Sequence, residues 1–210
     1  MSRKETRILL LFLLVFVAQA VSAGGAEAAC KTFTSATTQY YKADGYTTFQ
    51  AGTICFHDNT NYVRTGTLNS NTTLYYKPDG YTTFMGGKSI VFNGKGYVDT
   101  ATLFNNTTLY YKPDGYTTFM GGQIVRFGAR GYVIQATLYN NTTLYYKADG
   151  YTTFMGGQSV SFRPVDAVRA GGFVTSGVLY NNTTLYYGPG QYRTYQGGSR
   201  VSFNADGYVI

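Results

Sequence analysis

The chain has 210 residues, with 17 Lys and Arg, 10 Asp and Glu and a single His. It is therefore poor in the dissimilar groups that form catalytic centres, and its basic residues form no cluster of the kind that binds nucleic acid. We expect a protein that is not an enzyme, needs no cofactor or metal and does not bind nucleic acid. The 26 Gly, 22 Tyr and 14 Phe are typical of short strands separated by tight turns.

The N-terminal segment has the pattern of an export signal. Three basic residues precede the apolar run Ile8–Ala18, and the small-x-small sequence Val21–Ala23 follows it. The run is too short to span a bilayer as a permanent helix. We interpret residues 1–23 as a cleaved signal peptide, with a second cleavage site at Ala26–Ala28. The sequence thus predicts a secreted, periplasmic or cell-surface protein with no transmembrane segment after cleavage.

The next feature is a pair of cysteines, Cys30 and Cys55, the only two in the chain. In an oxidising compartment they are predicted to form one disulfide near the N-terminal end of the mature chain. The functional alternative is a nucleophile pair formed by Cys55 and His57.

The rest of the chain is a tandem repeat. TLYYKPDGYTTFMGG occurs at Thr73–Gly87 and at Thr108–Gly122, and TLYYKADGYTTFMGG at Thr143–Gly157. The first Tyr of each copy lies at Tyr40, Tyr75, Tyr110, Tyr145 and Tyr186, in steps of 35, 35, 35 and 41 residues. We predict one β-repeat domain, residues 24–210, with units at about 30–64, 65–99, 100–134, 135–175 and 176–210. The longer step reflects an insertion at Arg163–Gly171.

Each unit is predicted to contain four short antiparallel strands. In the second copy these are Leu74–Tyr76, Tyr81–Phe84, Ser89–Phe92 and Tyr97–Leu103. The turn Lys77–Gly80 has Pro at its second place and Gly at its fourth, as in a type I turn. No window has a helical period, so the fold class is all-β.

The third strand of each unit alternates between an apolar and a mostly polar face. Its apolar face is formed by Ile90, Phe92, Val125, Phe127, Val160, Phe162, Val201 and Phe203. Burying one Val and one Phe contributes about 3–6 kcal/mol, which does not offset the ordering of a unit at about 1–2 kcal/mol per residue. Single units should not fold alone. We therefore predict an open β-solenoid or hairpin stack, with a closed five-bladed β-propeller as the alternative.

Two adjacent tyrosine registers are the candidate ligand-binding residues. They are Tyr75, Tyr110, Tyr145 and Tyr186, and Tyr76, Tyr111, Tyr146 and Tyr187. Because neighbouring residues of a strand point to opposite faces, one register should be exposed in series. Exposed aromatic rows suit sugar rings or another protein, and they also stabilise a sheet through cross-strand pairs.

The turns carry a recurring Lys-x-Asp pattern. The Asp residues are Asp44, Asp79, Asp114 and Asp149, each two places after Lys42, Lys77, Lys112 or Lys147. We interpret Asp as shaping the turn and Lys as solvated at the sheet edge. The alternatives are a row of charged turns facing a polyanion, or calcium binding. The Asn-Asn-Thr-Thr segments at 105–108, 140–143 and 181–184 contain glycosylation sequons, as does Asn71–Thr73, and are interpreted as turns.

The hairpin phrases YYKPDGYTTF and SFNADGYVI resemble the choline- and glucan-binding cell-wall repeats. Those repeats build ligand-binding aromatic boxes from Trp, which this chain lacks. The unit also resembles repeats of secreted bacterial proteins with a VxFNxxGxVxxxTL phrase, present here at Val201–Ile210 and Val91–Leu103. The resemblance implies a stack of β-hairpins outside the cytoplasm.

Together these features favour a secreted or cell-surface, non-catalytic protein that binds an extracellular polysaccharide or envelope polymer through exposed tyrosine rows. The alternative is a structural component of an extracellular matrix or appendage that assembles by self-association. An enzyme would need a site in the irregular segment Arg163–Gly171, which contains no nucleophile.

Overall fold

The computed structural model describes residues 29–166 and 171–210, and every regular element in these ranges is a β-strand. The predicted signal peptide, residues 1–23, and part of the insertion, residues 167–170, lie outside the described residues. None of the described segments forms a helix that is long and apolar enough to cross a membrane. The all-β prediction is confirmed for the described part of the chain.

Twenty short strands follow one another along the part of the chain that the structure describes. They are β1 (Cys30–Phe33), β2 (Thr37–Lys42), β3 (Gly45–Phe49), β4 (Gly52–Phe56), β5 (Val63–Thr67), β6 (Thr72–Lys77), β7 (Gly80–Phe84), β8 (Ser89–Phe92), β9 (Val98–Thr102), β10 (Thr107–Lys112), β11 (Gly115–Phe119), β12 (Ile124–Phe127), β13 (Val133–Thr137), β14 (Thr142–Lys147), β15 (Gly150–Phe154), β16 (Ser159–Phe162), β17 (Val174–Val178), β18 (Thr183–Gly188), β19 (Gln191–Tyr195) and β20 (Arg200–Ser202).

The strands divide into one large sheet and a row of hairpins. The sheet has ten antiparallel strands in the order β1-β4-β5-β8-β9-β12-β13-β16-β17-β20. The other ten strands form five separate hairpins, β2-β3, β6-β7, β10-β11, β14-β15 and β18-β19. Each hairpin is inserted in the chain between two neighbouring strands of the sheet. Because β1 and β20 lie at opposite ends of the order, the described sheet is open, and the closed propeller is not found.

The hydrophobic core lies between the hairpins and one face of the sheet. In the second hairpin, Leu74, Tyr76 and Phe84 are buried, and they belong to the same core cluster as Ile90 and Phe92 of β8. The predicted alternation of the third strand is confirmed, because all eight of its apolar residues are buried. Residues of the opposite face, such as Arg126, are exposed or half-buried. Over the described ranges, the sheet is therefore covered on one face only.

Ring stacking joins each of the first four hairpins to a sheet strand of the following unit. Tyr76 of β6 stacks on Phe127 of β12, with ring centroids 4.6 Å apart. The same parallel stacking occurs at 4.6–4.7 Å in Tyr41–Phe92, Tyr111–Phe162 and Tyr146–Phe203. The apolar faces of successive units are thus buried against one another, as the stacking prediction requires.

The Asn-Asn-Thr-Thr segments form turns that hold the hairpins. The second Asn of each segment, and Asn71 at the equivalent place before the second hairpin, accepts a hydrogen bond, through its side-chain oxygen, from a backbone N–H at the far end of the hairpin. The donors and acceptors are Gly86 and Asn71, Gly121 and Asn106, Gly156 and Asn141, and Gly197 and Asn182, at 2.8–2.9 Å. A Cβ at Gly86 would lie 2.5 Å from the carbonyl carbon of Ser70, so the close approach favours glycine.

The predicted disulfide is present and joins the edge strand β1 to β4. Cys30 and Cys55 are directly paired residues of the antiparallel ladder. The alternative of a nucleophile pair is wrong, because the sulfur of Cys55 is bonded to Cys30. A structural disulfide is consistent with folding outside the reducing cytoplasm.

Candidate binding surface

The outward face of each hairpin carries a pair of tyrosines. In the second hairpin, Tyr75 of β6 and Tyr81 of β7 are directly paired across the two strands. Their ring centroids are 5.7 Å apart in an edge-to-face arrangement, and the side chains are 40% and 64% exposed. On the same face, the hydroxyl oxygens of Thr73 and Thr83 lie 2.9 Å apart. Each hairpin therefore presents two fixed aromatic rings to solvent.

The same pair recurs in all five hairpins, and we call the ten residues the tyrosine stripe. The pairs are Tyr40–Tyr46, Tyr75–Tyr81, Tyr110–Tyr116, Tyr145–Tyr151 and Tyr186–Tyr192, with centroids 5.6–6.2 Å apart. Their exposed fractions run from 39% to 67%. The first register of candidate residues thus lies in the stripe.

The partner tyrosines of the stripe were not among the sequence candidates. They are Tyr46, Tyr81, Tyr116, Tyr151 and Tyr192. Each is the more exposed tyrosine of its pair, with 62–67% of the side chain exposed. The closing pair Lys77–Gly80 alone did not identify them, because regular pairing from it would place Tyr76 opposite Tyr81. A β-bulge between Tyr75 and Lys77 shifts the register and pairs Tyr75 with Tyr81 instead.

The second candidate register lies in the core and not on the surface. Tyr76, Tyr111 and Tyr146 are only 5–6% exposed. These three residues are not part of the candidate binding surface, because each ring is covered by the stacked Phe of a sheet strand in the following unit. Burial raises the pKa of all three phenols above the usual 10.0, and nearby carboxylates of the turns raise it further. At Tyr146 the neighbouring Lys147 ammonium lowers the pKa and partly offsets the effect of burial.

Tyr187 is the exception in this register. It is 43% exposed, and the Arg193 guanidinium lies 5.4 Å from the centroid of its ring. Arg193 pairs with Leu185, at the place where Thr82 pairs with Leu74 in the second hairpin. Thr82 is buried, whereas Arg193 is exposed. In the last hairpin, the face that is buried in the other hairpins thus carries the exposed residues Tyr187 and Arg193, a difference that the sequence analysis did not predict.

The turn lysines bridge neighbouring hairpins. The Lys77 ammonium lies 3.4 Å from Asp79 and 5.2 Å from the ring centroid of Tyr110 in the next hairpin. Equivalent cation–π contacts join Lys42 to Tyr75, Lys112 to Tyr145 and Lys147 to Tyr186. The Lys77 side chain is only 17% exposed. The prediction that these lysines are solvated at the edge is therefore wrong, because they fill the gap between hairpins.

The turn carboxylates show no metal-binding arrangement. Within residues 29–166 and 171–210, no three His, Cys, Asp or Glu side chains lie close enough together to hold a metal ion. Asp79, Asp114 and Asp149 each pair with the lysine of their own turn.

Comparison with known proteins found no matching family model, no matching curated protein and no matching solved structure.

Proposed function

We propose that this protein is a secreted or cell-surface, non-catalytic module of five units that binds an extracellular glycan or envelope polymer through the tyrosine stripe. The observation that supports this most directly is the recurrence of one exposed tyrosine pair in every hairpin. Exposed aromatic residues that recur on one face are unusual on a soluble protein and mark interaction sites.

The chemistry of the stripe suits sugars. A tyrosine ring offers a flat apolar face for the C–H side of a sugar ring, and its hydroxyl donates or accepts hydrogen bonds with sugar hydroxyls. The rings are held by their edge-to-face partners and by the lysines, so little side-chain freedom would be lost on binding.

Pull-down of the mature protein with insoluble polysaccharides and isolated cell envelopes tests the proposal. The variant Tyr81→Ser/Tyr116→Ser/Tyr151→Ser removes three rings that are 62–64% exposed. It should lose most of the bound fraction while keeping its circular dichroism spectrum.

The matched control is Ile124→Ser. Ile124 is an equally exposed apolar residue, but it precedes the buried Val125 in β12 and so lies on the sheet face turned away from the hairpins. It should bind as the parent protein does. Absence of binding to every polysaccharide and envelope, or unchanged binding by the triple variant, would contradict the proposal.

A structural role through self-association is the second candidate. Among the described strands, β1 pairs only with β4, and Cys30, Lys31 and Thr32 of this edge strand are exposed. An open edge is a template for pairing with another chain. Light scattering over a wide concentration range tests it, because a strict monomer at high concentration would rule out assembly through this edge.

A further inference from the structure

The tyrosine stripe has a repeat length set by the sheet beneath it. Moving from one hairpin to the next crosses two strands of the ten-stranded sheet, as from the β5–β8 pair to the β9–β12 pair. Neighbouring strands of a sheet lie about 4.7–4.9 Å apart, so successive tyrosine pairs recur roughly every 9–10 Å along the stripe. The stripe is therefore a linear series of similar positions with a defined spacing.

The stripe is also close to electrically neutral. Three of the four lysines between its hairpins are paired with the Asp of the same turn, at 3.4–3.5 Å in Lys77–Asp79, Lys112–Asp114 and Lys147–Asp149. Their ammonium groups also face the tyrosine rings of the next hairpin. A polyanion would find few free positive charges here, so the stripe favours an uncharged ligand.

We propose that the stripe binds an extended, uncharged β-1,4-linked glycan, with one disaccharide at each tyrosine pair. This inference rests on the proposed function and names the class of ligand. In a flat β-1,4-linked chain, successive sugars are flipped, so the same ring face recurs at every second sugar, at a length close to two strand spacings. Coiled α-1,4-linked and β-1,3-linked chains do not repeat one ring face along a straight line.

The ligand can be a glucan or a polymer of N-acetylglucosamine, because both have this linkage and this period. Sheet strands are rotated by about 20–25° relative to their neighbours, so the stripe follows a twisted path. A single soluble chain can follow that path better than the flat face of a crystalline polymer. Soluble oligosaccharides are therefore the appropriate probes.

Isothermal titration calorimetry with β-1,4-linked glucose and N-acetylglucosamine oligosaccharides of increasing length tests the inference. The affinity should increase in steps at every second sugar, each step on the order of tenfold or less, because each new contact is intramolecular. The increase should end near ten sugars, two for each of the five pairs. Oligosaccharides with α-1,4 or β-1,3 linkages should bind at least about tenfold more weakly.

Two matched variants test whether the oligosaccharide binds along the successive tyrosine pairs. Tyr110→Ser/Tyr116→Ser removes the central pair and should divide the stripe, so that long oligosaccharides lose more than one step of affinity. Tyr186→Ser/Tyr192→Ser removes an end pair and should cost one step only. Both variants should keep the parental melting temperature to within a few degrees, because these rings are exposed.

The possible results separate the inference from the proposed function. Affinity that rises equally with every added sugar, or that does not depend on linkage, overturns the inference and leaves glycan binding intact. Binding to cell envelopes without binding to any β-1,4-linked oligosaccharide likewise overturns the inference and leaves the proposed function intact. Absence of binding to all glycans and envelopes overturns both.

Discussion

The phenol ring of Tyr76 stacks on the phenyl ring of Phe127, with centroids 4.6 Å apart and planes 8° from parallel. The two residues are 127 − 76 = 51 positions apart in the sequence, and they lie in a hairpin of one unit and a sheet strand of the next. Equivalent contacts join three further pairs of units. Each of the first four hairpins therefore completes the core of the following unit, and the units are expected to unfold cooperatively.

The buried tyrosine register should contribute more to stability than the exposed one. Tyr76→Ala removes a ring that is 6% exposed and leaves a cavity over Phe127, so it should lower the free energy of unfolding by about 3–5 kcal/mol. Tyr81→Ala, on the outward face of the same hairpin, should cost less than about 1 kcal/mol. Urea denaturation of both variants measures the difference. Equal losses would show that the assignment of faces is wrong.

Alkaline pH should destabilise the fold through the same buried phenols. Burial raises the pKa of Tyr41, Tyr76, Tyr111 and Tyr146 above the usual 10.0. Since the folded pKa exceeds the unfolded one, the folded state holds more protons, and stability is complete below about pH 10 and falls as the pH rises further. Melting temperatures measured from pH 7 to pH 11 should decline above about pH 10.

Removing one of these phenols should weaken the alkaline effect. Tyr76→Phe keeps the ring but has no proton to lose, so its melting temperature should decline less steeply with pH than that of the parent protein. Tyr81→Phe, at an exposed position, serves as the control and should follow the parental curve. A Tyr76→Phe curve that is parallel to the parental one would contradict the role of burial.

Two glycines in one turn should differ in their tolerance of a side chain. Gly96 has φ +77°, and a Cβ there would lie 2.5 Å from the carbonyl oxygen of Tyr41, which belongs to the β2–β3 hairpin of the preceding unit. Gly96→Ala should therefore destabilise the fold by about 1–3 kcal/mol. A Cβ at Gly94 meets no atom within 4 Å, so Gly94→Ala should be nearly neutral. Thermal denaturation of the two variants distinguishes them, and equal tolerance would show that the hairpin does not lie against this turn.

The disulfide should stabilise the edge of the sheet. Cys30 and Cys55 are 25 residues apart, and a crosslink of this span contributes about 2–4 kcal/mol by restricting the unfolded chain. Cys30→Ser/Cys55→Ser should lower the melting temperature, and reductant should lower that of the parent to a similar value. The double variant has no other cysteine, so reductant should leave it unchanged. A parent protein that is insensitive to reductant would contradict the assignment.

The strands and turns of each unit were largely predictable from local patterns. The predicted Ser89–Phe92 agrees with β8, and the alternation of Ile90 and Phe92 with Val91 correctly identified the buried face. Such features depend on the period of two in a strand and on turn residues with restricted conformations. The disulfide was predictable because the chain has only two cysteines.

The lysines show where this reasoning failed. Lys77 lies two residues before Asp79, and its position in a turn suggested a solvated side chain. Its position depends on Tyr110 and Tyr132, whose rings lie 5.2 Å and 5.7 Å from the ammonium group. Those residues come from the next unit, so no local pattern contains the contact.

The amino-acid sequence alone determines the all-β class, the repeating hairpins and the rule that Tyr75 and Tyr76 point to opposite faces, because each follows from local backbone geometry. Only the tertiary structure decides that Tyr76 is the buried one and that Tyr75 and Tyr81 form an exposed pair. That choice depends on which face of the hairpin meets Phe127, and the contact joins residues 51 positions apart. Burial depends on how the units pack together, and the location of the candidate binding surface depends on the same packing.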